Sequence, residues 1–304
     1  MLLRTLSAVL LTVSTLTSTA VAQGLPVVQP AEVGLSEERL GRLERVIQSY
    51  VDNQAIAGAV TLVARRGGQA HLQAYGLADR SDGVTMKPEA IFRIASMTKP
   101  VTSVAVMMLY EEGYFKLNDP VGQYLPELAS LDVLDRKAAA DGSFGRSPAA
   151  APVTIRHLLT HTSGIGYRFL GDLGATARQR ALSDLYREAE VADGLAEHDG
   201  TIADLVRALG QLPLMHEPGT AFTYGLSDDV LGRLVEVLSG DTFDEFLRTR
   251  LFEPLGMIDT YFYLPERKAD RLASVYTPDG AGGLVKVDGR VEGEHLIYSD
   301  TYST

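Results

Sequence analysis

The sequence predicts an α+β fold, in which paired strands lie beside several helices. Two strand-like runs, 57–64 and 69–75, are joined by Arg65-Arg66-Gly67-Gly68, a composition typical of a hairpin turn. Helix-like spacing of apolar residues occurs before this hairpin and repeatedly after it. Because a two-stranded hairpin alone is only marginally stable, we expect both strands to belong to a wider sheet.

Residues 1–22 have the composition of a secretory signal peptide. Arg4 is followed by an apolar run over 6–16, and Ala20-Val21-Ala22 provides a small-x-small cleavage site. A membrane anchor is the weaker interpretation, because serine and threonine interrupt the run and it is shorter than the ~20 residues that a bilayer span needs. We therefore expect a secreted or periplasmic mature chain over 23–304.

Composition limits the classes of protein to consider. The chain has 304 residues, 45% of them hydrophobic, a formal net charge of -11 and no cysteine. The absence of cysteine excludes disulfides, thiolate metal ligands and a lipid-anchored amino-terminal cysteine. The acidic balance argues against nucleic acid or an anionic membrane as a partner and favours a small neutral or cationic substrate. One large domain, or two closely packed subdomains, is expected.

Two helices are predicted on either side of the hairpin. Ser36 is expected to cap the first, with acidic residues in its first turn. The second begins near Ser96 and ends at Gly113. Their apolar stripes contain Leu40, Leu43, Ile47, Tyr50 and Val51 in the first helix, and Val101, Val104, Ala105, Met108 and Leu109 in the second.

Ser96 and Lys99 lie three residues apart at the start of the second helix, so their side chains are neighbours. A serine hydroxyl needs a base to become a nucleophile, and Lys99 is the candidate if it is neutral when it acts. Desolvation and the positive end of the helix dipole are expected to lower its pKa. Free N–H groups at the helix start could hold an oxyanion. The alternative is a solvated helix start, although none of the other five lysines has a serine three positions upstream.

Two middle segments carry weaker signals. Residues 138–152 are rich in Ala, Gly, Ser and Pro, which indicates a flexible surface insertion. Residues 165–200 mix Arg, Ala, Asp and Glu, which suits an exposed helical cap over a cleft.

Between these segments, Thr154 is expected to cap a short helix that ends at Gly164. His157 and His161 lie four residues apart on it, so a metal site is one interpretation. Packed, hydrogen-bonded histidines are favoured, because no acidic residue lies between the two and no third ligand is evident.

The later part of the chain predicts a turn, two helices and a hairpin. In Glu217-Pro218-Gly219-Thr220, Pro and Gly occupy the central places of a type II turn, which fixes the direction of the following Tyr224. Helices are predicted over 227–238 and 241–251, with a hairpin near 278–287. Asp228 and Asp229 are expected to be helix-start residues near the dipole.

Four segments together resemble the serine β-lactamase and penicillin-recognising superfamily, and within it the class C β-lactamases and the family VIII carboxylesterases. In chain order they are FRIASMTK at 92–99, TIRHLLTHTSG at 154–164, EPG at 217–219 leading to Tyr224, and LFEPLGM at 251–257. The resemblance covers most of residues 30–265.

The resemblance implies a fold and a site. The implied fold is an antiparallel sheet flanked by helices, with an inserted all-helical subdomain and the site between the two parts. Residues 23–110 and 240–304 would form the α/β part, and 111–239 the helical part. The resemblance further implies that Ser96 is the acylated nucleophile, Lys99 its general-base partner and Tyr224 the hydroxyl that relays a proton to the leaving group. No metal or other cofactor is implied.

Two departures from the family pattern bear on function. Leu226 stands where class C enzymes carry an asparagine that holds the substrate amide, a difference that resembles the esterase branch. Nothing after Tyr263 matches the third family motif, Lys-Thr-Gly or its esterase counterpart. We therefore expect a chain that ends before the later sheet strands, with lower activity and stability. The sequence also lacks the Gly-x-Ser-x-Gly of α/β-hydrolases.

Three functions are compatible with these patterns. The leading hypothesis is a secreted serine hydrolase that forms an acyl-enzyme on Ser96 and acts on small esters, with weak hydrolysis of β-lactams. The second is a D,D-peptidase or β-lactamase that acts on cell-wall peptides or β-lactams. The third is a non-catalytic or inactive binding protein. Leu226 favours the first hypothesis over the second, and the missing third motif favours the third.

Overall fold

The computed structural model describes residues 24–172, 175–192 and 200–286. The predicted signal peptide, 1–22, lies outside these residues. Within the described part of the chain, no helix is long and apolar enough to cross a membrane.

The amino-terminal part combines one helix with a small antiparallel sheet. Helix α1 (Glu37–Asp52) starts at Ser36, whose hydroxyl accepts a hydrogen bond from the N–H of Arg39 at 3.3 Å, so the predicted cap is confirmed. Strands β1 (Gly58–Arg65), β2 (Gly68–Asp79) and β3 (Val84–Thr85) pair in that order.

The turn between β1 and β2 has the backbone that its composition predicts. Arg66 and Gly67 have φ angles of 52° and 75°. Two successive residues in the left-handed region are typical of a type I′ turn, whose twist matches that of the flanking strands. The hairpin is confirmed, and β3 widens its sheet by one short strand.

The core lies around helices α2 (Thr98–Glu111) and α6 (Ser227–Ser239), which pack against each other. The helices α3 (Ile155–Leu159), α5 (Ile202–Leu209) and α7 (Phe243–Leu247) pack on α6. The side chains at the centre are fully buried: Ala105, Val106 and Leu109 of α2, and Val230, Leu231, Leu234 and Val235 of α6. Burial of one Val or Leu contributes about 1.5 to 3 kcal/mol, so this interface fixes the starts of α2 and α6 relative to each other.

The prediction of a flexible insertion over 138–152 is wrong. Strands β4 (Asp132–Ala138) and β5 (Phe144–Pro148) form an antiparallel hairpin. Asp141 closes the turn by accepting a hydrogen bond from the N–H of Ser143 at 3.0 Å. The N–H of Leu134 in β4 donates to Leu214 O at 2.9 Å, a contact 80 positions away that composition does not reveal. The part predicted to be helical, 111–239, therefore contains a hairpin besides its helices.

The stretch predicted to be an exposed cap, 165–200, contains helix α4 (Ala177–Glu188). The prediction that this stretch contains a helix is therefore confirmed. However, Leu182 and Tyr186 of α4 are buried, and so are residues 165–167, which run beneath the surface. Most of the charged residues of α4 face solvent, while its apolar face closes over the core.

The predicted carboxyl-terminal hairpin is confirmed as strands β6 (Tyr276–Pro278) and β7 (Leu284–Lys286). Asp79, at the end of β2, ties this hairpin to the sheet. Its buried carboxylate accepts hydrogen bonds from Ser274 Oγ and from Lys286 Nζ, both at 2.8 Å. Burial alone would raise the pKa of Asp79, but these bonds, with Lys286 the strongest, hold that pKa well below its usual range.

Candidate active site

Ser96 lies in a single 3₁₀ turn, Ala95–Met97, that leads directly into α2. The predicted place of Ser96 at the start of this helix is confirmed. Ala95 has a φ of 41°, a left-handed value that is uncommon for a residue other than glycine. Backbone strain of this kind is found most often at functional sites. The turn leaves the Ser96 side chain exposed to solvent.

The structure brings the three predicted site residues together. Tyr224 OH donates to Ser96 Oγ at 2.6 Å, although the two residues are 128 positions apart. Lys99 Nζ lies 3.4 Å from Ser96 Oγ and 4.9 Å from the centroid of the Tyr224 ring. An oxygen–oxygen distance of 2.6 Å is at the short end of O–H···O bonds, which makes proton transfer between the two hydroxyls feasible.

Tyr224 is held by the turn before it and by a neighbouring segment. The N–H of Thr220 donates to Glu217 O at 3.1 Å and Gly219 has a φ of 82°, so the predicted type II turn is confirmed. A Cβ at Gly225 would collide with the carbonyl oxygen of Ile165. Only glycine therefore allows the chain at Tyr224 to lie this close to residues 165 and 166.

A second phenol, Tyr167, belongs to the same cluster and was not predicted. Lys99 Nζ donates to Tyr167 OH at 3.0 Å, and the Tyr167 ring lies 5.4 Å from the Tyr224 ring and stacks on Phe169. Burial, with the nearby charge of Asp229, raises the pKa of Tyr167 to about 12, so this phenol is neutral at physiological pH. The one signal in the sequence that could have pointed to Tyr167 is its position, three residues after the 154–164 segment.

The expectation that the pKa of Lys99 would be lowered is wrong. Burial does lower this pKa, but the hydrogen bond and electrostatic interaction with Tyr167, and then those with Tyr224, outweigh burial and raise it above its usual value. The resting amine is therefore an ammonium. Of the two groups on Ser96 Oγ, Tyr224 OH at 2.6 Å is closer than the Lys99 ammonium at 3.4 Å.

Asp228 and Asp229 are more than helix-start residues. Asp229 is only 8% exposed, and burial raises the pKa of its carboxyl to about 7, while the charge of Lys99 opposes the rise and that of Asp228 adds to it. Asp228 Oδ2 lies 3.0 Å from His161 Nε2. The two aspartates thus connect the first turn of α6 with separate parts of the Ser96 site.

The two histidines of the 154–164 segment have different partners. His157 Nδ1 accepts a hydrogen bond from the N–H of Thr154 at 3.2 Å and so belongs to the cap of α3. His161 faces Asp228. Among the described residues, no group of three or more His, Cys, Asp or Glu side chains could hold a metal ion.

Ser96 and Lys99 at the start of α2 are in contact with Tyr224, which lies just before α6. This fold and this group of side chains define the class of serine β-lactamase-like proteins. The Beta-lactamase family model matches residues 43–303, and the chain belongs to that family.

Curated relatives with this sequence pattern include esterases. The chain is 37% identical over 230 residues to esterase EstB of Burkholderia gladioli, an alignment that covers 75% of this chain and 53% of the relative. It is 30% identical over 269 residues to lovastatin esterase of Penicillium rubens, covering 82% of this chain and 62% of the relative. The chain therefore spans between about half and three fifths of the length of these relatives.

Solved structures give the same fold. The chain matches EstCE1, described as a hydrolase with promiscuous acyltransferase activity, with a TM-score of 0.67 and 32% identity. This match covers 82% of this chain and 59% of the other. The octameric penicillin-binding protein homologue from Pyrococcus abyssi matches with a TM-score of 0.59 and 27% identity, covering 81% and 50% of the two chains.

Proposed function

We propose that this protein is a secreted serine hydrolase that forms an acyl-enzyme on Ser96, and that the enzyme is a carboxylesterase acting on small esters. The observation that carries the proposal is the hydrogen bond of 2.6 Å between Tyr224 OH and Ser96 Oγ, with the Lys99 ammonium beside both hydroxyls. The signal-peptide composition of residues 1–22 supports secretion.

Each group has one role in the proposed reaction. The Tyr224 hydroxyl first releases its proton to water, and the Lys99 ammonium stabilises the phenolate that remains. Ser96 Oγ then attacks the ester carbonyl carbon while its proton passes to the phenolate oxygen of Tyr224. Collapse of the tetrahedral intermediate breaks the bond to the alcohol, which takes the proton from Tyr224. Water then attacks the acyl-enzyme in the same way: its proton passes to the Tyr224 oxygen, the bond to Ser96 Oγ breaks, the serine takes the proton back and the acid is released. The oxyanion would be bound by a backbone N–H of the Ser96 turn other than those of Met97 and Thr98, which already donate to Ile94 O and Ala95 O.

The surroundings of Ser96 support an ester as substrate. Leu226 is fully buried in the core, so this position offers no amide-binding group to the cleft. Met97 and Phe222, which flank Ser96 and Tyr224 in the sequence, are 69% and 68% exposed and give the site an apolar rim. Esterase names among the relatives support the same substrate class. Weak hydrolysis of β-lactams is proposed as a side activity, because a strained amide can be attacked by the same acyl-enzyme chemistry.

The test compares the wild-type chain with Ser96→Ala, using hydrolysis of p-nitrophenyl acetate and labelling by a fluorophosphonate. Ser103→Ala, on the same helix, is the matched control. We expect Ser96→Ala to lose both turnover and labelling while Ser103→Ala keeps them. Labelling that persists in Ser96→Ala, mapped by peptide mass, would overturn the assignment. Faster turnover of nitrocefin than of the ester would favour a β-lactamase instead.

A further inference from the structure

His161 has an unusual backbone and a nearly buried side chain next to the Ser96 site. Its φ is 51°, in the left-handed region, where a residue other than glycine is disfavoured. Its side chain is 14% exposed. None of the roles proposed above for Ser96, Lys99 and Tyr224 requires this residue, so its strained conformation needs a separate explanation.

The left-handed backbone directs the imidazole toward Tyr224. The ring centroids of His161 and Tyr224 are 5.1 Å apart with an interplanar angle of 49°, and Phe222 packs on His161 at 5.8 Å. These distances are within the range of favourable aromatic pairs. The backbone adds a second link, because the N–H of Thr223 donates to His161 O at 2.8 Å.

Asp228 holds the other side of the imidazole. His161 Nε2 lies 3.0 Å from Asp228 Oδ2, and the Asp228 side chain is only 11% exposed. Oδ2 nevertheless accepts no well-aligned hydrogen bond, and His161 Nδ1 has no hydrogen-bond partner among the described residues. The contact is therefore mainly electrostatic, and it favours the tautomer that carries its proton on Nε2, facing the carboxylate.

We propose that His161, held by Asp228, is a positioning residue that fixes the ring of Tyr224 so that the Tyr224 hydroxyl stays on Ser96. In the described part of the chain, the ring and cation contacts of Tyr224 come from Lys99 Nζ at 4.9 Å, the Tyr167 ring at 5.4 Å and the His161 ring at 5.1 Å. Lys99 and Tyr167 hold each other by a hydrogen bond, so His161 is the separate support. The effect on catalysis rests on the proposed esterase function; the effect on the Tyr224 ring does not.

The backbone conformation supplies a clean substitution. Glycine adopts a φ of 51° without strain, so His161→Gly removes the imidazole and keeps the chain path. Asparagine also tolerates this region, so His161→Asn is a second variant that is expected to fold. His157→Gln, in the same segment but in the cap of α3, is the matched control.

The experiment uses the full chain labelled with 3-fluorotyrosine and reads the ¹⁹F resonance of Tyr224, assigned by its loss in Tyr224→Phe. We expect this resonance to shift or broaden in His161→Gly, His161→Asn and Asp228→Asn, and to stay unchanged in His157→Gln. Thermal melting checks that each variant is folded. For p-nitrophenyl acetate, we expect kcat of His161→Gly to fall by about 10-fold or more with KM within about 2-fold, because small displacements of a catalytic group have large effects on rate.

The outcomes separate this inference from the proposed function. An unchanged Tyr224 resonance in folded His161→Gly and His161→Asn would overturn the positioning role, whatever the esterase assay gives. A changed resonance together with a wild-type chain that hydrolyses no ester would keep the positioning role and refute the esterase. A changed resonance with normal kcat would show that the imidazole orders the ring without serving the reaction, and would overturn its catalytic consequence.

Discussion

The buried carboxyl of Asp229 destabilises the wild-type chain more and more as the pH rises. The substitution Asp229→Asn should abolish this pH-dependent effect. Burial raises the pKa of this carboxyl from its ordinary 3.8 to about 7 in the folded chain. A pKa difference of one corresponds to 1.36 kcal/mol, so the folded state prefers the protonated carboxyl by about 4 kcal/mol.

The direction of the change in the free energy of unfolding with pH follows from which state, folded or unfolded, still holds the proton on Asp229. Below about pH 4 the carboxyl is protonated in both states, and its contribution to stability is fully present. As the pH rises toward 7 the unfolded chain has already released its proton while the folded chain still holds it. The free energy of unfolding therefore falls with pH, by about 3 kcal/mol between pH 5 and pH 8 from this group alone.

The assay is urea denaturation of the wild-type chain and Asp229→Asn at pH 5 and pH 8. Because asparagine does not titrate, the stability gained by the variant over wild type should be about 3 kcal/mol larger at pH 8 than at pH 5. Asp241→Asn, at an exposed position before α7, is the control and should show equal differences at both values. Equal differences in Asp229→Asn as well would refute the argument that burial governs this carboxyl.

The remaining predictions concern the site and the carboxyl-terminal tie. Lys99→Ala and Tyr224→Phe are each expected to lower kcat for p-nitrophenyl acetate by about 10²-fold or more, the scale of positioned acid–base groups; a near-normal rate in Tyr224→Phe would make this ring a packing residue. Tyr167→Phe removes the hydroxyl that raises the pKa of Lys99, so the alkaline limb of the pH–rate profile should move to lower pH, and an unmoved limb would contradict the pairing. Asp79 has a lowered pKa, so its contribution is present above about pH 4 and lost as the pH falls. Asp79→Asn should therefore lose less stability than wild type between pH 5 and pH 3 in urea titrations.

Patterns within one segment predicted structure well. The Arg66-Gly67 turn, the capped start of α1 and the turn before Tyr224 each depend on backbone preferences of a few consecutive residues, and all three are present. The contact between Ser96 and Lys99 follows from helix geometry alone.

Features that depend on distant contacts could not be predicted in this way. The β4–β5 hairpin contains residues that are common in loops, and it is ordered in part through Leu214. Tyr167 lies in no regular pattern, and its contact with Lys99 forms only when the chain is folded. The raised pKa of Asp229 depends on burial by α6 packing, which the helix-start pattern of its sequence does not contain.

The anchoring of Asp79 has a consequence for the order in which the molecule folds. Its partners Ser274 and Lys286 lie 195 and 207 positions later in the chain. At synthesis rates of about 5 to 20 residues per second, the ribosome needs roughly 10 to 40 s to reach Lys286 after it has made Asp79. Until then the carboxylate at the end of β2 lacks the Lys286 ammonium that it pairs with in the folded chain, and burying it without this partner is unfavourable. We therefore expect this end of the amino-terminal sheet to reach its folded structure late, among the last parts of the described chain, although it is among the first to be synthesised.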